Sequence, residues 1–183
     1  MVFKETILTG AFLIEQEPIE DNRGWFARSF CKNEFADRGL CFEFVQNSIS
    51  FNLKKGTIRG LHYQRAPYEE IKAVQCIAGR IYDVIVDIRT DSPTYLKWLA
   101  VELCADDGTM LYIPQGFAHG YQTLAENTKV FYQMSEFYRN GQEGGIRWDD
   151  KRLNIPWPVK DEIVMSERDK KLEGVKNLCR GSV

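Results

Sequence analysis

Histidine is scarce in this 183-residue chain: only His62 and His119 are present. A three-histidine metal centre cannot be assembled from two. Neither histidine stands in an HxH pair with a nearby glutamate, so the expectation is no metal and no metal chemistry. Nucleophilic catalysis is equally short of parts, with no GxSxG elbow and no cysteine next to a histidine in sequence. The five cysteines, Cys31, Cys41, Cys76, Cys104 and Cys179, form no CxxC and no zinc-ligand spacing. An odd, scattered set suits reduced thiols that are mostly buried fillers. The first ten residues carry Lys4 and Glu5 and do not read as a leader, which points to the cytoplasm. No apolar run approaches the roughly 18 residues of a membrane span, so no membrane contact is expected. Lys+Arg (24) and Asp+Glu (26) nearly cancel, to a net charge of -2. No general basic field exists to attract nucleic acid, and an anionic partner would be met by a few local cations.

What remains is strand-forming sequence. The hydrophobic share is 44%, with 13% aromatic, enough for one domain over residues 1–183 with a sizeable core. In residues 81–89, Tyr82, Val84, Val86 and Ile88 share one face and Asp83, Ile85, Asp87 and Arg89 the other. Breakers follow at residues 90–94. Residues 98–103 form a second strand, and Ala-Asp-Asp-Gly at 105–108 reads as a hairpin turn into a strand over 109–113. Residues 129–138 alternate again. The early helix candidate is 33–39, capped by Asn33 and stopped by Gly39, and a weaker helical stretch follows Ser166. Many short strands between Gly, Pro and Asp turns imply a mostly β protein, an antiparallel sandwich or barrel able to enclose one small ligand.

Candidate chemistry concentrates in two of these segments. In residues 56–64, Gly60, His62 and Gln64 share a face, and the glycine would leave space beside the imidazole. Taken alone, a single histidine there is more simply structural. On an unbroken strand over 129–138, Tyr132 and Tyr138 project to one side with Val130, Met134 and Glu136. One hydroxyl could donate a proton and one ring could stack, although core packing reads equally well. Arg23, Arg28, Arg59 and Lys72 are cations suited to a diphosphate.

Assembled in order, several runs resemble the dTDP-4-dehydrorhamnose 3,5-epimerase family. They are residues 21–26, 45–50, 58–64, 79–89, 91–94, 111–120 (Leu-Tyr-Ile-Pro-Gln-Gly-Phe-Ala-His-Gly), 143–149, 155–158 and 166–169. The resemblance implies a cupin-like antiparallel jelly roll with a few short peripheral helices, working without a cofactor. It further implies a dTDP-4-keto-6-deoxyglucose-like nucleotide sugar as substrate and a homodimer that exchanges a strand. By the same resemblance His62 is the base, paired with Asp169 and with Asp83 close by. Tyr132 is the acid, Lys72 stabilises the enolate, and Tyr138 is the platform for the nucleotide base. Arg23, Phe26, Gln46, Asn47 and Ser48 match substrate-site positions, as do Arg59, His119, Glu143 and Arg168. Two departures stand out: Arg28 occupies a position where the family usually carries a glutamate, and Tyr95-Leu96 replaces the usual Phe-Gly. A single-centre epimerase, a ketoisomerase and a non-catalytic sugar-nucleotide-binding cupin are the alternatives. Strict alternation sets Arg59 on the face opposite His62, a conflict that a β-bulge or delivery to a neighbouring subunit would resolve.

Overall fold

In the computed structural model, which describes residues 1–180, antiparallel strands dominate. They are β1 (Val2–Glu5), β2 (Phe12–Glu15), β3 (Ile19–Asp21), β4 (Gly24–Phe26), β5 (Gln46–Asn52), β6 (Ile58–Gln64) and β7 (Lys72–Ala78). The series continues with β8 (Arg80–Asp87), β9 (Trp98–Cys104), β10 (Met110–Ile113), β11 (Phe117–Thr123), β12 (Thr128–Met134) and β13 (Glu143–Gly145). A six-stranded sheet runs β1-β2-β10-β7-β12-β5, a five-stranded sheet runs β13-β6-β11-β8-β9, and β3-β4 is a separate hairpin. Chain neighbours repeatedly fall in different sheets, as β7 and β8 do, which is the winding of a jelly-roll sandwich. Among the described residues no helix is long and apolar enough to cross a membrane.

Alternation decides what each sheet face buries. Ile81 and Ile85 of β8 point between the sheets, where they pack with Val74, Leu111, Phe117 and Val130. Val84 and Val86 point outward and are covered by the C-terminal chain through Ile146, Leu153, Ile155 and Trp157. The far side of the six-stranded sheet is sealed by α1 (Lys32–Ala36), whose Phe35 packs on Ile14, Ala73, Met110 and Tyr112. Burying one such side chain is worth about 1.5–3 kcal/mol, so these three clusters fix the sandwich and its wrapping.

Three local expectations need correction. Ala-Asp-Asp-Gly at 105–108 does not close a hairpin: β9 pairs with β8, whereas β10 pairs with β2 and β7, so the turn carries the chain from one sheet to the other. The early helix is capped by Cys31 rather than Asn33 and ends at Ala36, with the chain turning on to Gly39 at φ +66°. The run from residue 129 leaves the sheet at Met134, before Tyr138. Of the described thiols only Cys76 is buried, and burial pushes it up to about 11; Cys31, Cys41 and Cys104 are half-buried. The Cys179 side chain lies outside the described residues. The stretch after Ser166 does form a helix, α2 (Glu167–Lys170), and the Ser166 side chain accepts the Asp169 N–H at 3.0 Å.

Candidate active site

The two sheets part at one end to leave a cavity of about 840 Å³. Its five-stranded wall carries Arg59 and His62 from β6 and His119 and Tyr121 from β11, while the six-stranded wall carries Lys72 from β7 and Tyr132 from β12. Gln46, Ser48 and Ser50, alternate residues of β5, line the edge.

Strand β6 is the organising element. Opposite β11, His62 faces His119 and Arg59 faces Tyr121, so three steps along β6 match two along β11. The extra residue is a bulge, and it reverses the parity that had set Arg59 against His62. Both side chains consequently reach the same cavity from one chain. Gly60 sits inside the bulge at φ +121°, and a Cβ there would lie 2.5 Å from Gly120 Cα and 2.8 Å from the His119 carbonyl oxygen. The glycine therefore leaves no gap beside the imidazole; β11 fills it.

His62 and Asp169 form a tight pair, Nε2 to Oδ1 at 2.7 Å. Asp169 is brought to β6 by the capped first turn of α2, and its Oδ2 accepts the Gly60 N–H at 3.2 Å. Burial alone would raise this carboxyl, but the bonds from His62, Gly60 and Ser166 hold it below the usual carboxylate range. An ionised Asp169 accepts a hydrogen bond from His62 Nε2–H, the tautomer that puts the ring's free lone pair on Nδ1.

Asp83, expected close by the His62–Asp169 pair, holds the second histidine of the site. It bonds His119 Nε2 at 2.7 Å and lies wholly buried behind that ring. Its Oδ2 has no hydrogen-bond partner among the described residues. A buried oxygen left unpaired costs roughly 1–3 kcal/mol, a penalty set against holding His119 in place. The His119 ring in turn meets Tyr132 edge-on across the sandwich, with centroids 6.1 Å apart.

Burial pushes the Tyr132 phenol well above its ordinary value of 10.0, and the neighbouring Tyr121 and Asp83 add to that rise. Tyr132 is thus held protonated. Lys72 Nζ is tethered to Glu70 Oε1 at 2.8 Å; Glu70, also in the cavity wall, was not among the residues expected from sequence.

At the mouth, Tyr138 arrives from the loop after β12 and its N–H donates to Gln46 Oε1 at 2.9 Å. Its hydroxyl donates to Glu143, which pairs with Arg168 at 3.7 Å. Glu143 thereby braces two cavity residues without lining the cavity itself. Asn47 points away from the cavity, on the opposite face of β5 from Gln46 and Ser48. Arg23, Phe26 and Arg28 are not brought to this cavity by their own chain. Arg23 pairs with Asp21, Arg28 with Glu34, and Phe26 stands 76% exposed on the β3-β4 hairpin. Tyr121 and Ser50 also line the cavity without having been singled out, and Ser166, expected only at the head of a helix, lines it too.

Among the described residues no group of three His, Cys, Asp or Glu side chains is placed to hold a metal. A jelly roll with an imidazole–carboxylate pair on one cavity wall and a protonated phenol on the other is equipped to move protons on and off a small molecule held between them. Comparison with known proteins gives the family. The sequence signature described as dTDP-4-dehydrorhamnose 3,5-epimerase matches residues 5–177. The dTDP-4-dehydrorhamnose 3,5-epimerase of Shigella flexneri is 42% identical over 166 residues, covering 90% of this chain and 91% of that one. The crystal structure of the Bacillus anthracis enzyme with TDP and PPi bound superposes with a TM-score of 0.91 at 42% identity, covering 95% of this chain and 100% of that one. An epimerase from Legionella pneumophila in complex with dTDP-4-keto-L-rhamnose gives 0.90 at 32%, covering 96% and 93%. The chain belongs to the dTDP-4-dehydrorhamnose 3,5-epimerase family.

Proposed function

We propose that the protein inverts C3 and C5 of a dTDP-linked 4-keto-6-deoxyhexose by proton exchange beside the C4 ketone. The observation that carries this reading is the placement of His62–Asp169 and Tyr132 on opposite sheets across one cavity. His62 Nδ1 removes the proton on the carbon next to the ketone, and Asp169 supports the imidazolium that forms. The Lys72 ammonium, steadied by Glu70, stabilises the enolate oxygen. Tyr132 returns a proton from the other wall, and delivery to the opposite face is what inverts the centre. His119, held by Asp83, packs against Tyr132 and fixes its ring. Tyr138, Gln46, Ser48, Arg59 and Arg168 form the mouth that takes the nucleotide and its diphosphate, and that remote binding holds the sugar in reactive geometry. No step of this scheme calls on a cofactor.

The whole chain acts as one catalytic unit, in a cytoplasmic homodimer. Support for the dimer comes from the β3-β4 hairpin, which among the described residues pairs with no other strand and exposes Ile19, Trp25 and Phe26. In the dimer Arg23, Phe26 and Arg28 serve the partner's site rather than their own. The test is proton NMR with dTDP-4-keto-6-deoxyglucose in D₂O. Deuterium entry at both C3 and C5 is expected. Entry at one carbon would restrict the enzyme to a single centre, a shifted carbonyl would make it a ketoisomerase, and no entry would leave only a binding protein.

A further inference from the structure

The cations that line the cavity differ in what holds them. Lys72 Nζ is tied to Glu70 Oε1 at 2.8 Å and Arg168 to Glu143 at 3.7 Å, so each shares its charge with a carboxylate. Arg59 does not. Among the described residues it pairs with no carboxylate, and its Nε donates instead to Asn52 Oδ1, a neutral amide oxygen, at 2.8 Å. A longer contact runs from Nη2 to the Phe51 carbonyl oxygen at 3.4 Å. The guanidinium is thereby held along its Nε–Nη2 edge, which leaves the Nη1–Nη2 end for a ligand.

Asn52 is built into its place. It ends β5, the outermost strand of the six-stranded sheet, whereas Arg59 belongs to β6 of the other sheet, so their bond crosses the sandwich at the cavity edge. The amide is 2% exposed and does not line the cavity itself. Because a guanidinium only donates, the end facing Arg59 is the oxygen, and Nδ2 at the other end donates to the Thr128 carbonyl oxygen at 3.2 Å. Tyr121 Oη closes the cluster, 3.1 Å from Nδ2 and 3.3 Å from Oδ1. A carboxylate of the same shape would lose the bond to Thr128 and cancel the Arg59 charge. The amide holds the cation and leaves the charge intact.

We propose that Asn52 is a positioning residue for the substrate: it fixes Arg59 without neutralising it and so presents a full positive charge to the diphosphate. The proposal rests on the nucleotide-sugar reading given above and deepens it. The diphosphate carries the same charge before and after inversion, so its contact with Arg59 is felt in binding and not in proton transfer. Asn52 touches neither the substrate nor the reacting atoms and acts only through Arg59.

The test is calorimetric titration of the full-length protein with dTDP, alongside steady-state kinetics on dTDP-4-keto-6-deoxyglucose. Asn52→Asp, which neutralises the guanidinium, should raise the dTDP Kd about tenfold or more and flatten its salt dependence. Asn52→Ala, which frees it, should raise the Kd about fivefold in the native background and leave it within about twofold in Arg59→Ala. In both single variants KM should rise with the Kd while kcat stays within about threefold. Wild-type dTDP affinity in either variant would overturn the proposal. So would a loss that persists in full without Arg59, or a fall in kcat at unchanged KM, since each marks a structural effect on the cavity. If one variant does not fold, the other carries the decision. Failure of the epimerase reading is distinguishable, because it appears in the wild type as no deuterium entry at either carbon, while the dTDP titrations still report on Asn52.

Discussion

His62 and His119 face each other across paired strands, each holding a carboxylate at 2.7 Å, yet their side chains are 35% and 5% exposed. That difference assigns the work: an imidazole that must take up and release a proton needs access to substrate and water, and only His62 has it. Asp169→Asn should leave the ring in place but free the wrong tautomer, lowering turnover by about a hundredfold with little change in KM. Steady-state kinetics would show it, and an unchanged kcat would remove Asp169 from the base. The acid makes a prediction of its own. Because burial raises Tyr132 above 10.0, the phenol keeps its proton across the neutral and mildly alkaline range. The rate of inversion should therefore show no alkaline loss attributable to this group until the pH passes 10; a fall beginning near pH 8 that disappears in Tyr132→Phe would contradict the assignment.

At the scale of elements, β6 and α2 carry the site. Gly60→Ala would push a methyl group into the backbone of Gly120 and His119, forcing the two strands apart or the bulge out of register. A loss of about 3 kcal/mol or more is expected in denaturant unfolding, together with loss of activity, since His62 follows two residues later. Strand faces were legible in the sequence wherever alternation ran unbroken, as in β8, where Ile85 and Val84 bury on opposite sides of the sheet. The capped turn at Ser166 was legible too, because a serine cap is a local signal. Elsewhere long-range pairing overrode the local pattern. Ala-Asp-Asp-Gly at 105–108 has the composition of a hairpin turn, but which sheet β10 joins is decided by Leu111 and Ile113 packing between the sheets. The position of Arg59 hung on one extra residue in β6, which no periodicity reveals. Glu70 and Tyr121 escaped notice because charge and aromaticity alone do not say which way a side chain faces.

The molecule as a whole encloses its site between two sheets but leaves apolar surface uncovered. Ile49 and Phe51 on β5 are exposed, as are Trp25 and Phe26 on the isolated hairpin. Unpaired edges and exposed apolar groups of this kind favour association. Sedimentation equilibrium should find a dimer, and Trp25→Glu with Phe26→Glu should yield monomers with weakened substrate binding if the hairpin serves a partner's cavity. Global stability has its own pH signature. Burial would raise Asp87, but bonds from Arg89, Ser92 and Thr94 bring it down to about 2 from 3.8. A depressed carboxylate stabilises the fold above pH 4 and loses that contribution as the pH falls toward 2, so Asp87→Asn should cost about 2 kcal/mol at pH 7. The gap from wild type in denaturant unfolding should close in acid.

The central claim, a base on one sheet and an acid on the other, is tested most directly by comparing deuterium entry with inversion in His62→Ala and Tyr132→Phe. His62→Ala should show neither process, while Tyr132→Phe should still exchange carbon-bound hydrogen and invert at least about a hundredfold more slowly. Undiminished inversion in the Tyr132 variant, or exchange persisting without the imidazole, would contradict the division of labour between the two walls.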